Sequence, residues 1–324
     1  MYLEHWGLEV FPYEIVPDLK FVYNSGHYRE AMTRLIYAIM RRKGAALLTG
    51  DVGCGKTTLS RALIQNLSQK EYHVGLITNP MLEPIEFIRE ILYQFGLDPA
   101  SHSKHDLLNT LGEMMMKDFR ENKTTLLVID EAQLLSPTNF EEVRLLLNYQ
   151  FNDRFLLNMM LIGQPELRGI IKRIEQLDSR IAIRYHMGPL LLDEMVQYVN
   201  FRLSRAGAKR EIFTRDAFEE IHRQTKGVPR RVNTLCDMGL LIGFGMHAEK
   251  IDAAVIREAI DDTAMPDSEP GEAAAGGASP QQEVAKQGSR EAENLRSSET
   301  LPAQRMLPDD PNVNPSQPVD FYLF

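Results

Sequence analysis

The run Leu47-Leu48-Thr49-Gly50-Asp51-Val52-Gly53-Cys54-Gly55-Lys56-Thr57-Thr58 constrains this chain more than any other stretch. It matches G-x-x-x-x-G-K-[ST] at Gly50, Gly55, Lys56 and Thr57. An apolar run, Ala45 to Leu48, precedes it, and helical spacing follows at Leu59, Ala62, Leu63, Ile64 and Leu67. In that strand–loop–helix setting the glycines let backbone N–H groups turn inward toward phosphate oxygens, and the helix N-terminus adds positive potential. Gly50, Asp51, Val52, Gly53, Cys54, Gly55, Lys56, Thr57 and Thr58 are therefore assigned to a nucleotide-phosphate site. Lys56 can reach the β- and γ-phosphates, and the Thr57 hydroxyl can ligate Mg²⁺.

With 324 residues the chain is long enough for two packed domains. The net charge of −9 is uneven: from Met265 onward ten acidic residues face four basic ones, leaving a balance of −3 on the first 264. A near-neutral body argues against obligate nucleic-acid binding, although a local basic patch would be compatible with it. The two cysteines, Cys54 and Cys236, form no disulfide framework and fit a reducing compartment. No apolar run approaches the roughly 20 residues that cross a bilayer, and the N-terminus lacks a signal-peptide pattern. The expectation is a cytosolic protein that touches a membrane only through partners.

Residues 1–24 are rich in aromatics and proline, which predicts an ordered arm lying across the main domain. Pro17, Phe21 and His27 are its candidates for packing near a nucleotide base, with plain edge packing as the alternative. A helix is predicted from Gly26 to Arg42. Arg41, Arg42 and Lys43 close it, either complementing its C-terminal dipole or forming a basic patch. A second strand runs from His73 to Thr78, followed by helices from Pro84 and over Lys104–Arg120; Met114-Met115-Met116 in the latter reads as core filler.

Thr124 to Glu131 reads Thr-Thr-Leu-Leu-Val-Ile-Asp-Glu, a buried parallel strand ending in two carboxylates. Open α/β sheets bind ligands at the carboxyl ends of their strands. Asp130 is placed to hold Mg²⁺ through water, and Glu131 to orient or deprotonate an attacking water. The next strand, Phe155 to Ile162, ends at Gln164, which could sense a γ-phosphate or act as a loop cap. Arg180 and Arg184 flank a fifth, short strand. For each, two readings stand: an arginine finger reaching a neighbouring subunit's γ-phosphate, or a surface ion pair.

From Asp193 four helices succeed one another: Asp193–Arg205, Thr214–Thr225, Pro229–His247 and Ala253–Asp261, with Asp193 and Thr214 as N-caps. Gly227-Val228-Pro229-Arg230-Arg231 starts the third of these, and two readings of Arg230 stand: it points from a helical lid toward the nucleotide, or it is a structural arginine. Residues 265–324 hold eight of the seventeen prolines and read as a disordered tail. Its aromatic end, Phe321-Tyr322-Leu323-Phe324, is either a docking peptide or fortuitous. The expected division is an arm over 1–24, an α/β nucleotide-binding domain over 25–190, a lid over 191–264 and the tail.

Together these features resemble an AAA+ ATPase: a P-loop NTPase with a parallel five-stranded sheet flanked by helices and a small all-α lid. More narrowly, the chain resembles the GspA/ExeA-type ATPases of the general secretion pathway, including relatives in pilus biogenesis and exosortase-linked polysaccharide export. The resemblance covers about residues 1–262. It is carried by Trp6-Gly7-Leu8, Pro12, Pro17-Asp18, the phosphate loop, Ile129-Asp130-Glu131-Ala132-Gln133, Leu161-Ile162-Gly163-Gln164-Pro165-Glu166-Leu167, Arg180-Ile181-Ala182-Ile183-Arg184 and the run from Gly227 to Asp237.

The resemblance implies Walker A roles for Lys56 and Thr57 and Walker B roles for Asp130 and Glu131. It implies sensor 1 for Gln164, the finger for Arg180 or Arg184, and sensor 2 for Arg230. It further implies ATP and Mg²⁺ as cofactors, a homo-oligomer formed with ATP, and a membrane-embedded secretion, pilus or export component as partner. Cys54 departs from the usual small or hydroxylated residue, so it acts either as a small filler or as an oxidation-sensitive thiol. Members often continue into a membrane span and a peptidoglycan-binding domain, which this sequence does not contain; cytosolic service to a membrane machine is expected instead. The alternative is a transposition-helper ATPase that binds DNA with ATP and selects targets.

Overall fold

Three strands with no exposed residue form the centre of the molecule: β1 (Ala45–Gly50), β3 (Thr124–Ile129) and β6 (Leu157–Gly163). Strands apolar on both faces need cover on both faces, which selects a parallel sheet between helical layers. The computed structural model describes residues 2–14, 19–98, 103–152 and 154–263. Met1, Pro17, Asp18, the expected tail and its aromatic end lie outside the described residues.

The edges of the sheet are β2 (Tyr72–Ile77) and β7 (Ile181–Met187), giving the order β2-β3-β6-β1-β7 with every pairing parallel. β4 (Gln150–Phe151) and β5 (Arg154–Phe155) make a small separate hairpin, so the fourth sheet strand starts at Leu157 rather than Phe155. The period-2 alternation of side chains sorts the core into two layers. Leu47, Leu127, Ile129, Met159 and Leu161 pack under α4 (Pro84–Gln94), α5 (Lys104–Arg120), α6 (Pro137–Leu146), α7 (Glu166–Lys172) and α8 (Glu175–Asp178). Ala46, Leu48, Leu126, Val128, Met160 and Ile162 pack under α2 (Gly26–Met40) and α3 (Lys56–Asn66). Met114 and Met115 are buried in the first layer, with Met116 against it.

The basic run after α2 is neither a dipole cap nor a free patch at its centre. Arg42 donates to the Lys123 carbonyl at 2.9 Å and the Thr124 hydroxyl at 3.2 Å, and its guanidinium lies 5.4 Å over the Phe119 ring. It ties the end of α2 to the start of β3.

The lid comprises α9 (Leu192–Arg205), α10 (Arg215–Thr225), α11 (Pro229–Gly245) and α12 (Ala253–Thr263). The first begins one residue before the expected cap. Leu191 is its N-cap, and the Glu194 carboxylate, not Asp193, accepts the Leu191 N–H. Thr214 does occupy the cap of α10, but its hydroxyl donates to the Ile251 carbonyl at 3.1 Å.

The N-terminal arm departs from expectation. Its short helix α1 (Tyr2–Trp6) and the residues after it are buried in the lid's core, not laid across the α/β domain. Trp6 is 1% exposed and its indole N–H donates to the Leu240 carbonyl of α11 at 2.9 Å. The Tyr2 hydroxyl donates to Asp237, the Glu9 N–H to the Ala206 carbonyl, and the Arg202 Nε–H to the Pro12 carbonyl. The lid needs this insert, because Gly243 leaves a gap in α11 that the Trp6 ring fills; a Cβ there would lie 2.9 Å from that ring. Four short helices enclose too little core alone, and the arm's aromatics complete it. Trp6→Ala is accordingly expected to cost about 3–5 kcal/mol of stability. Urea unfolding followed by circular dichroism should show the lowered midpoint; an unchanged midpoint would mean that the arm contributes little to the lid.

Candidate functional site

The phosphate loop leaves the carboxyl end of β1 and enters α3, whose N-cap, Gly55, has φ +92°. Only glycine holds such an angle without strain, which is the local reason for the motif's second glycine. Lys56 is 6% exposed, and its ammonium donates to the carbonyls of Gly50 at 2.8 Å and Asp51 at 3.0 Å. Among the described residues this buried cation meets only the loop's own carbonyls, which phosphate oxygens could replace. Cys54 is buried inside the loop, and burial pushes its thiol above the ordinary range, which suits the small-filler role and not that of a reactive thiolate.

The adjacent-but-one strand supplies the carboxylates. Asp130 is 4% exposed; its Oδ2 accepts the Thr57 hydroxyl at 2.8 Å and its Oδ1 accepts the Glu131 N–H at 2.9 Å. Among the described residues no group of three or more His, Cys, Asp or Glu side chains could enclose a metal. The Thr57 hydroxyl and the Asp130 carboxylate nonetheless fit Mg²⁺, a hard ion that takes one or two protein oxygens and completes its shell with water and phosphate. Glu131 follows with φ +50°, a left-handed conformation uncommon outside glycine.

A cavity of about 230 Å³ lies over the loop. It is lined by Val52 to Thr58, Glu131, Met187 and Leu190, and, from the start of α11, by Pro229, Arg230 and Asn233. Phe21, Tyr23 and Tyr28 also line it. Of the arm candidates, Phe21 is in the wall; His27 instead meets the Tyr185 hydroxyl at 3.2 Å, and Pro17 lies outside the described residues.

Arg230 comes from the lid, and contacts to the backbone hold it there. Its N–H donates to the Gly53 carbonyl at 3.2 Å, and a Cβ on Gly53 would lie 2.7 Å from the Arg230 Cβ. The preceding turn is locked to the segment leaving β7: the Leu190 N–H donates to the Gly227 carbonyl at 2.9 Å. Gly227 has φ +74°, and a Cβ there would fall 1.9 Å from the Leu190 carbonyl oxygen.

Gln164 sits at the end of β6, beside the strand bearing Asp130, but it is not among the residues of the cavity wall. Arg180 and Arg184 lie away from the cavity. The register pairs Ala45 with Ile181 and Gly50 with Met187, which puts Arg180 at the end of the sheet opposite the loop. Arg180 donates to the Leu147 carbonyl at 2.8 Å, and Arg184 pairs with the Asp178 carboxylate at 3.0 Å.

Sequence reasoning assigned no role to three residues of this region. Asn233 and Arg202 line the cavity from α11 and α9. Arg202, 8% exposed, donates to the Tyr198 hydroxyl, which donates in turn to Asn233 Oδ1 at 2.7 Å. Only tertiary packing assembles that chain. Gln133, by contrast, stands two residues after Glu131, and its amide bridges Glu131 and Gln164.

Known proteins share this architecture. The sequence profile of the AAA domain matches residues 39–171. General secretion pathway protein A of Aeromonas hydrophila is 37% identical over 254 residues, 78% of this chain and 46% of the relative. The chain thus spans about half the length of that relative. Among solved structures, the Aeropyrum pernix ORC2 protein in ADPNP–ADP complexes aligns with a TM-score of 0.55 and 17% identity, over 75% of this chain and 70% of that one. The Aeropyrum pernix ORC1 protein in complex with DNA aligns with a TM-score of 0.56 and 16% identity, over 76% and 68%. At such identities these two speak for the fold alone. No helix among the described residues is long and apolar enough to cross a membrane. With the phosphate loop, the Asp130–Glu131 strand end and the lid arginine converging on one cavity, the aligned part of this chain belongs to the GspA/ExeA-type AAA family.

Proposed function

We propose that this chain binds ATP with Mg²⁺ and hydrolyses it, and that the cycle serves a cell-envelope secretion, pilus or export assembly from the cytosolic side. The observation that carries the reading is Glu131 in the wall of the same cavity as Lys56 and Thr57, next in sequence to the Asp130 that pairs with Thr57. Bound Mg²⁺ would supply charge neutralisation at the β- and γ-phosphates. Lys56 would release the Gly50 and Asp51 carbonyls and bind phosphate oxygens. Glu131 would orient a water on the γ-phosphorus and take its proton as the new P–O bond forms and the bond to the bridging oxygen of ADP breaks. Arg230 would report phosphate occupancy to the lid, since its own backbone is bonded to the loop at Gly53. The lid carries the arm with it, so nucleotide state would be displayed on a surface built from both.

Partner and process come from the likeness to general secretion pathway protein A and are proposals for this chain. Arg180, at the end of the sheet opposite the loop, and Arg184, ion-paired with Asp178 midway along β7, are both absent from the wall of their own cavity, so a finger role would be played toward a second subunit. ATP-strengthened, salt-weakened binding to duplex DNA would instead move the reading to a target-selecting ATPase.

Glu131→Gln is expected to lower phosphate release by about 10²–10⁴-fold while ATP stays bound, measured by single-turnover hydrolysis and nucleotide retention. Loss of nucleotide binding in that variant would count against the assignment of Glu131 to the chemical step. A finger acting between subunits makes a further prediction. Lys56→Ala and the double variant Arg180→Ala/Arg184→Ala should each be inactive alone and regain turnover when mixed, because a mixed pair contains one complete composite site. Mixtures no more active than their parts would exclude a finger shared between subunits.

A further inference from the structure

The amide of Gln133 occupies a position that the ATPase reading does not use. Its Nε2 donates to Glu131 Oε2 at 2.6 Å, and its Oε1 accepts the backbone N–H of Gln164 at 3.1 Å. The two partners are a carboxylate and an N–H, so only one orientation of the amide satisfies both. The side chain is seated over the backbone of β6: a Cβ built on Gly163 would lie 2.4 Å from Gln133 Oε1. Glu131 is itself held at three points. Its N–H donates to Asp130 Oδ1, its carbonyl accepts the Leu134 N–H, and its carboxylate accepts Gln133. That over-determination is what keeps a non-glycine residue at φ +50°. Among the described residues Glu131 Oε1 has no hydrogen-bond partner while Oε2 is fixed by Gln133, and Glu131 itself lines the cavity.

We propose that Gln133 is a positioning residue that aims the Glu131 carboxylate and couples its aim to the end of β6 at Gln164. The inference rests on the ATPase reading and deepens it. Any displacement of the Gly163–Gln164 peptide moves the acceptor side of the Gln133 amide, and its donor side moves the carboxylate. An ångström of misplacement in a group that aims a reacting water costs on the order of 10²-fold in rate, whereas nucleotide binding depends on the loop and not on this bridge. The signature is therefore a loss in kcat with KM preserved.

The test uses the full chain and ATP. Gln133→Leu keeps the volume and removes both bonds; kcat is expected to fall roughly 10–100-fold with KM and nucleotide affinity within about twofold. Gln133→Glu keeps an acceptor for Gln164, loses the donor and sets a like charge beside Glu131. It should lose at least as much, and it carries the test if the leucine variant does not fold. In a Glu131→Gln background, single-turnover rates should show no further loss from Gln133→Leu, because a residue acting through Glu131 has nothing left to position. Turnover of Gln133→Leu within twofold of the parent or above it, a loss confined to KM, or an additive loss in the double variant would each overturn the proposal. A parent chain that turns over ATP beside an indifferent Gln133→Leu removes this inference alone; a parent chain with no turnover removes the ATPase reading with it.

Discussion

Burial of β1 on both faces is the constraint to which every part of the site is referred. Its six residues are flanked by β6 and β7 and covered by helices above and below, so the strand has no freedom to shift. The phosphate loop springs from its last residue, and Gly50 lies so close to Met187 of β7 that a side chain there would come within 2.5 Å of the Met187 carbonyl oxygen. A loop anchored in this way presents fixed backbone dipoles, and preorganised dipoles need no reorganisation when charge arrives.

Two rigid connections extend from that anchor. On one side, β6 and β3 carry Gln164, Asp130 and Glu131 to the same end of the sheet, because a parallel sheet delivers all its carboxyl ends together. On the other, the Leu190–Gly227 and Gly53–Arg230 hydrogen bonds fasten the lid to β7's exit and to the loop itself. The cavity is thus bounded by residues of the α/β layer and of the lid, with Phe21 and Tyr23 also in its wall. The arm's aromatic residues are part of the lid's core, so arm and lid are packed as one unit.

The unequal legibility of these parts has physical causes. The phosphate loop and the Asp130–Glu131 strand were readable because their chemistry needs residue types at fixed local spacing, which one strand or one turn supplies. The helices of the lid were readable from periodicity and from Pro229 at a helix start. The start of α9 was missed by a residue because Glu194, reaching back from the helix's third position, does the capping that Asp193 was expected to do. The arm was misplaced because Trp6, Leu8 and Tyr13 declare that they need an apolar partner and say nothing about which one. The gap at Gly243, 237 positions away from Trp6, is visible only once α11 is packed.

By itself the sequence determined a phosphate-binding loop, a metal-competent hydroxyl–carboxylate pair and an α/β sheet with a helical lid, since each is encoded by contiguous residues. Tertiary structure alone decided that the arm belongs to the lid, that Arg180 and Arg184 lie outside the wall of their own cavity, and that the amide of Gln133 joins Glu131 to Gln164. These depend on strand order and register, which bring distant residues within hydrogen-bond range or set them at opposite ends of a sheet. No local spacing carries that information.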